Sequence, residues 1–174
     1  MSAPEHILER FLSTDFFREA LQTPFVIDGW RYYTDGRRMV RVKDDSPNTA
    51  GCPHADRIPG WTHAEVADWI DPPPNDAKMT EQKCAACQGM GHIVCPTCGV
   101  DSACGDCDET GIMRDDGEAH VGFAVLNGRY YDDMLALPGL QIAASDVKTC
   151  HGPDRVRFRF DGGEGIIMKM KEAE

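Results

Sequence analysis

Six cysteines are the residues of this sequence best suited to chemistry, because they form three closely spaced Cys-x-x-Cys pairs. The pairs are Cys84/Cys87, Cys95/Cys98 and Cys104/Cys107. Each pair can make a tight turn that presents two thiolates to one ion, and zinc binds four such ligands in a tetrahedron. The pattern therefore predicts that the segment binds at least one Zn²⁺, with all six cysteines as candidate metal ligands.

The spacing leaves two ways of combining the three pairs. The first and third pairs are separated by 16 residues, which fits a zinc site built from Cys-x-x-Cys, a loop and a second Cys-x-x-Cys. This arrangement is favoured, and it would put the second pair, Cys95 and Cys98, at the tip of a hairpin. The alternative sets the second pair against the third across only five residues.

A second ion would need ligands from outside the first and third pairs. Cys95 and Cys98 could hold it with other side chains, so the sequence is compatible with one or two ions. The candidate additional ligands are His92, Asp101, Cys52 with His54, and Cys150 with His151. Cys52 and Cys150 are explained more simply as small apolar residues.

Catalysis finds little support among these residues. Catalytic zinc keeps an open coordination position and usually takes histidine or carboxylate ligands, but the sequence has neither His-Glu-x-x-His nor His-x-Glu with a Pro-Cys-x-x-Cys partner. Thiol redox cycling is a further option for a Cys-x-x-Cys pair, and three crowded pairs favour metal over it. We therefore expect a protein that is not an enzyme, with no catalytic residues and no organic cofactor.

Composition limits the function classes further. The chain has 174 residues, 41% of them hydrophobic, and a formal net charge of -11. This charge argues against a protein that coats nucleic acid through its overall field. The sequence shows no signal peptide and no long apolar run, which predicts a cytoplasmic protein that does not enter a membrane. In that reducing compartment, close cysteine pairs are more often metal ligands than disulfides.

Three segments follow from the local patterns. Residues 1–50 combine a helical pattern over 6–21, as one kinked helix or two, with three strands near 25–27, 30–33 and 38–43. Residues 51–118 contain loop, a short helix from a capping box at Thr62 to Ile70, and the cysteines. Residues 119–174 predict a strand at 121–126, a helix at 128–136, and strands at 140–144, 155–160 and 166–170. The fold class is α+β, with a weak internal repeat of element order.

One resemblance lies in the cysteines themselves. Cys84-x-x-Cys87-x-Gly89-x-Gly91 resembles the CxxCxGxG half-site of the DnaJ-type cysteine-rich domain, and Cys104-x-x-Cys107-x-x-Thr-Gly111 is a looser copy. Cys95-Pro-Thr-Cys98-Gly99 lacks the second glycine. That domain has four half-sites and two zinc ions, whereas three half-sites occur here. No His-Pro-Asp signature of a J-domain is present, so the resemblance implies metal binding and no heat-shock chaperone partner.

A second resemblance covers the flanking segments. The stretch from His120 to Tyr131, Ala136-Leu137-Pro138-Gly139, Ser145-Asp146 and Ile166-Ile-Met-Lys-Met170 are similar to the last repeat of a bacterial sliding-clamp (polymerase III beta subunit) domain. Residues 1–50 look like the preceding repeat without its first strand. The resemblance implies a clamp-like domain of two helix-plus-three-strand repeats, interrupted by the zinc knuckle. Such a composite is expected of a small bacterial or prophage accessory protein.

These observations predict a non-enzymatic, zinc-binding protein-interaction module, linked to DNA replication or phage biology. The partner is expected to be a protein, and the oligomeric state is open, with a homodimer among the options. The alternative is a nucleic-acid-binding protein that uses the zinc knuckle and an arginine-rich strand. That strand alternates Arg155, Arg157 and Arg159 with apolar residues, and a solvated sheet face is its plainer interpretation. The other basic residues of the predicted face are Arg37, Arg38, Arg41, Lys43, Lys169 and Lys171.

Overall fold

The structure is a computed structural model, and it describes residues 3–50, 66–107, 109–149 and 153–170. The chain divides into two compact units. The larger unit comprises Met1–Asp76 and Glu118–Glu174, and the smaller unit is Ala77–Gly117. The predicted segment boundaries at residues 50 and 118 remain predictions.

Short strands dominate the described residues. The helices are α1 (Glu5–Leu8), α2 (Gly128–Leu135) and α3 (Ala144–Val147), with 3-10 turns at Glu9–Phe11 and Phe16–Leu21. The first strands are β1 (Phe25–Ile27), β2 (Trp30–Thr34), β3 (Arg38–Lys43) and β4 (Trp69–Ile70). The smaller unit contributes β5 (Thr80–Lys83), β6 (His92–Val94), β7 (Asp101–Ala103) and β8 (Ile112–Asp115). The remaining strands are β9 (Glu118–Val121), β10 (Ala124–Asn127), β11 (Gln141–Ala143), β12 (Arg155–Phe160) and β13 (Gly163–Met168).

A seven-stranded antiparallel sheet organises the larger unit, in the order β1-β2-β3-β13-β12-β11-β4. The three strands of each predicted repeat are therefore neighbours, and the two sets meet where β3 pairs with β13. Few helices and a mainly antiparallel sheet fit the predicted α+β class. The clamp-like form of the repeats is not confirmed and stays a prediction.

Period-two alternation explains how the sheet builds its core. Val156, Phe158 and Phe160 of β12 are buried, as the sequence pattern predicts. Their neighbour β13 has Gly165 opposite Phe158. A Cβ atom at Gly165 would lie 2.2 Å from Cζ of Phe158, so the glycine leaves the space that this ring fills. Large rings and glycines on adjacent strands thus pack as complementary shapes.

The prediction of one continuous strand at 121–126 is wrong, because the structure has two strands there. β9 and β10 form a hairpin that turns at Gly122, where φ is +61°. A Cβ atom at Gly122 would lie 2.3 Å from the carbonyl oxygen of Val147. Close approach of this turn to the end of α3 therefore requires glycine and splits the apolar run in two.

The predicted helix ending at Ile70 is also corrected. Trp69 and Ile70 form β4, which pairs with Ala143 and Ile142 of β11. An edge position in the sheet overrides the local helical pattern, since β11 offers backbone partners that a helix would not use. The capping box at Thr62 and the side chain of Trp61 lie outside the described residues.

The other elements differ from prediction mainly at their ends. The helical pattern over 6–21 is divided between α1, its 3-10 extension and a separate 3-10 turn, with the break near Asp15, whose side chain caps the second turn. The strand predicted at 166–170 runs from Gly163 to Met168. The helix α2 begins after Asn127, which accepts a hydrogen bond from the N–H of Tyr130. Within the described residues, no helix has the length and apolar character needed to cross a membrane.

The smaller unit contains two short ladders. β5 pairs with β8, and β6 pairs with β7, each in antiparallel register. The cysteine pairs lie where these ladders begin and end. The cysteine segment is therefore folded as one hairpin inside another, joined by the turns that contain the cysteines.

Candidate metal centre

Four of the six predicted ligands come together in the smaller unit. Their sulfur atoms all lie within 4.8 Å of one another. We call this set the four-cysteine cluster; its members are Cys84, Cys87, Cys104 and Cys107. All four residues are buried. The structure thus joins the first and third pairs, as the 16-residue spacing favours.

Sulfur–sulfur distances in the cluster suit a tetrahedral metal ion. The Sγ atoms of Cys84 and Cys104 are 3.8 Å apart, and those of Cys87 and Cys107 are 3.7 Å apart. With zinc–sulfur bonds of about 2.3 Å, the edges of a four-sulfur tetrahedron are about 3.8 Å long. These distances are far too long for disulfide bonds. The residues present therefore fit a metal ion bound by four thiolates.

The two turns that carry the cluster are related copies, offset by 20 residues. In the first, the N–H of Gly91 donates to Sγ of Cys87, and in the second the N–H of Gly111 donates to Sγ of Cys107, both at 3.2 Å. Such donors stabilise negative charge on sulfur. The copies are more alike in backbone than in sequence, because Glu109 takes the left-handed position that Gly89 occupies in the first turn.

Gly91 and Gly111 also connect the two turns to each other. The N–H of Cys84 donates to the carbonyl of Gly111, and the N–H of Cys104 donates to the carbonyl of Gly91, at 2.8 and 3.0 Å. A Cβ atom at Gly91 would lie 2.1 Å from the carbonyl oxygen of Glu109. The second glycine of the half-site is thus required by close backbone contact as well as by its positive φ.

The pKa values of the thiols differ strongly within the cluster. Burial acts to raise the pKa of Cys87, but N–H groups of Gly91 and Gly89 and the neighbouring thiols outweigh it and lower this pKa to about 6. Burial and the adjacent sulfurs raise the pKa of Cys107 to about 12. Four thiolates so close together repel one another, so they need a cation to be ionised at the same time. A divalent metal ion bound by the four sulfurs would supply that charge.

Cys95 and Cys98 remain apart from the cluster. They lie in the loop 95–100 that joins β6 to β7, where Cys95 is partly buried and Cys98 is exposed. N–H groups of Cys98 and Thr97 lower the pKa of the Cys95 thiol. In the described part of the chain, no third ligand joins them to form a further metal-binding group.

Neither His92 nor Asp101 completes this second pair. His92 and Asp101 lie on the two strands of the inner ladder, diagonal to each other, with Nε2 and Oδ2 4.0 Å apart, and both are exposed. The remaining candidates lie outside the described residues; they are Cys52, His54, Cys150 and His151. Whether these residues bind a metal stays a prediction.

Several basic residues of the predicted sheet face have partners within the chain, and Lys171 lies outside the described residues. Arg157 forms a two-point ion pair with Asp146, through Nε at 2.9 Å and Nη2 at 2.7 Å. Asp146 is fully buried, and although burial acts to raise its pKa, hydrogen bonds from Arg157 lower it overall. The sequence pattern places Arg157 on the outer face correctly but gives no sign of this partner, which lies on α3.

Other arginines of that face have similar partners. Arg38 is buried, pairs with Asp35 and Asp133, and stacks over the ring of Tyr130. Arg41 pairs with Glu164. For Arg38, placement on an open basic face is therefore wrong, because its guanidinium lies in the core beside two carboxylates.

Aromatic rings cover further basic groups. Arg41 and Lys43 lie over the ring of Trp30, at 4.2 and 3.7 Å from its centre. Arg159 lies over Trp69 at 4.7 Å and donates to the side chain of Gln141. These contacts use the cations to stabilise the sheet surface.

Comparison with known proteins yields no relationship: no protein-family model, curated protein or solved structure matches the chain. The resemblances to the DnaJ-type domain and to the sliding clamp are therefore not confirmed. The geometry of the four-cysteine cluster does not depend on these resemblances and supports metal binding by itself.

Proposed function

We propose that the chain is a non-enzymatic interaction module in which one zinc ion, held by the four-cysteine cluster, fixes the fold of the smaller unit. The observation that carries this proposal is the set of four buried sulfur atoms with tetrahedral spacing. Four thiolates fill the coordination sphere of zinc, which is typical of structural sites. Buried sulfurs with no open ligand position suit a fold-stabilising ion better than a reaction centre.

Exposed apolar side chains support an interaction role for the smaller unit. Its large exposed hydrophobic residues are Met79, Met90, Ile93, Val94, Val100, Ile112 and Met113. A small unit that keeps so much apolar surface in solvent is typical of one that contacts a protein partner. We further propose a reducing, cytoplasmic setting, and a role near DNA replication or phage biology that rests on the sequence resemblances alone.

Metal analysis of the full-length protein tests the zinc assignment. We expect zinc to be retained through purification without chelator, and to be released when the thiols are titrated with a mercurial reagent. Replacement by cobalt(II) should give the visible absorption of a tetrahedral thiolate site. Coloured, iron-containing protein from cells grown in minimal medium with zinc would show that the bound metal is iron and not zinc. Protein that binds neither zinc nor iron would refute the proposal.

Nucleic-acid binding is the alternative, and the charge pattern gives it less support. Arg38 and Arg157 are held by internal carboxylates, and the net charge is -11. We expect no binding to single- or double-stranded DNA or RNA in gel-shift experiments at low salt. A complex that weakens steeply as salt is raised would favour this alternative instead.

A further inference from the structure

The loop 95–100 carries a pair of cysteines, Cys95 and Cys98, at the end of the inner hairpin. We infer that Cys95 and Cys98 bind a second zinc ion together with the same two residues of a second copy of this chain. The inference deepens the proposed interaction role, on which it rests, by naming the partner as another copy. It does not use the ligands of the four-cysteine cluster.

Ligand number is the first reason for a second copy. Zinc held by thiolates takes four ligands, and this loop supplies two. The Cys-x-x-Cys turn is held at the hairpin end by hydrogen bonds from the N–H of Cys95 to Val100 and from the N–H of Gly99 to Cys95, both at 2.9 Å. Within the described residues, no third ligand is close enough to join this pair. The described residues therefore supply two of the four ligands, and a second copy would supply the other two.

Symmetry is the second reason, because a twofold axis through the metal would supply the missing half. Both chains would then present the same surface, which is the usual form of a homodimer contact. Each thiol loses its proton when its sulfur binds zinc, so two chains release four protons and give one four-sulfur site. The β6–β7 ladder separates this site from the four-cysteine cluster by about 10 Å.

The surface around the two thiols fits such a contact. Ile93, Val94 and Val100 flank the cysteines and are 40%, 51% and 61% exposed. Residues 93–100 include no charged side chain, although the chain as a whole is strongly acidic. The nearest carboxylate in the sequence, Asp101, directly follows this stretch and lies 4.0 Å from Nε2 of His92. Two copies that meet at residues 93–100 bury apolar surface.

The experiment measures zinc per chain and molecular mass on the full-length protein, in a phosphine reductant that prevents disulfides. We expect a dimer with about 1.5 zinc ions per chain, since each chain has one ion of its own and shares another. The double variant Cys95→Ser/Cys98→Ser should be a monomer with about one zinc per chain. Val100→Asp, which keeps every thiol, should weaken the dimer by placing two like charges near the axis.

Three outcomes would overturn the inference. The first is a wild-type monomer with about one zinc, unaffected by loss of Cys95 and Cys98; this leaves the proposed zinc module intact. The second is a monomer with about two ions that loses one on Cys52→Ser or Cys150→Ser, which would place the second site within one chain. The third is a dimer that survives either the double variant or chelation, which would place the interface elsewhere. Protein without zinc would refute both proposals.

Discussion

Removing the metal from the four-cysteine cluster is expected to unfold the smaller unit and to leave the larger unit folded. Among residues 77–107 and 109–117, burial is confined to the four cysteines, Gly91 and Gly111. With no other apolar side chain buried there, hydrophobic burial contributes little to holding the two hairpins together. Structural zinc sites in small units have apparent binding energies of about 10–16 kcal/mol, which are at the same time folding energies.

The larger unit should respond differently because its core is of the ordinary apolar kind. Tyr33, Phe11 and Phe158 are almost fully buried there, and Arg157 is paired with a buried carboxylate. None of these contacts involves the cysteines. The larger unit therefore has its own source of stability, and its dispersed amide signals in a two-dimensional NMR spectrum should persist after the metal is removed.

Limited trypsin digestion provides a direct measurement of the smaller unit. Lys83 and Arg114 lie in the ladder formed by β5 and β8, where pairing protects the backbone. After treatment with chelator and reductant, we expect cleavage at both sites to be faster by about tenfold or more. Cys104→Ser should have the same effect without chelator. Cys95→Ser is the matched control and should keep the protection, and undiminished protection in metal-free protein would contradict the prediction.

The parts of the fold that sequence patterns predict well are those with strong local signals. Asp28 and Gly29 have positive φ angles, as a tight hairpin turn between β1 and β2 demands. The alternation along β12 is equally local, since it depends only on every second residue. The combination of the first and third Cys-x-x-Cys pairs is predictable for the same reason, because the lengths of the intervening segments limit which turns can meet.

Features that depend on distant partners could not be predicted in this way. The strand at Trp69 exists because β11 lies beside it, more than seventy residues later in the sequence. Asp146 gives no local sign that its carboxylate will neutralise Arg157. The sequence pattern therefore makes the basic face look more open than it is. Partners within the chain, such as Asp146 for Arg157, neutralise part of its charge.

Replacing Gly111 with alanine is expected to disrupt the metal site, although Gly111 is not a ligand. A Cβ atom there would lie 2.3 Å from the carbonyl oxygen of Gly89, and the residue has a φ of +72°. To relieve this clash, the two turns must move apart. That movement lengthens the hydrogen bonds from Gly111 to the sulfur of Cys107 and from Cys84 to Gly111. Loss of such supporting contacts lowers metal affinity by up to about 100-fold, and the clash adds to this.

Gly105→Ala is the matched control, because a Cβ atom at Gly105 would meet nothing within 4 Å and the residue has no positive φ. Gly89→Ala should fall between the two. Its φ is +88°, but its nearest neighbour is the flexible side chain of Lys83 at 3.4 Å, and Glu109 already tolerates the equivalent conformation. Competition with a chromophoric chelator measures the three affinities for zinc. The order expected is Gly105→Ala tightest, then Gly89→Ala, then Gly111→Ala; equal affinities would mean that the close contact between the two turns does not hold the site together.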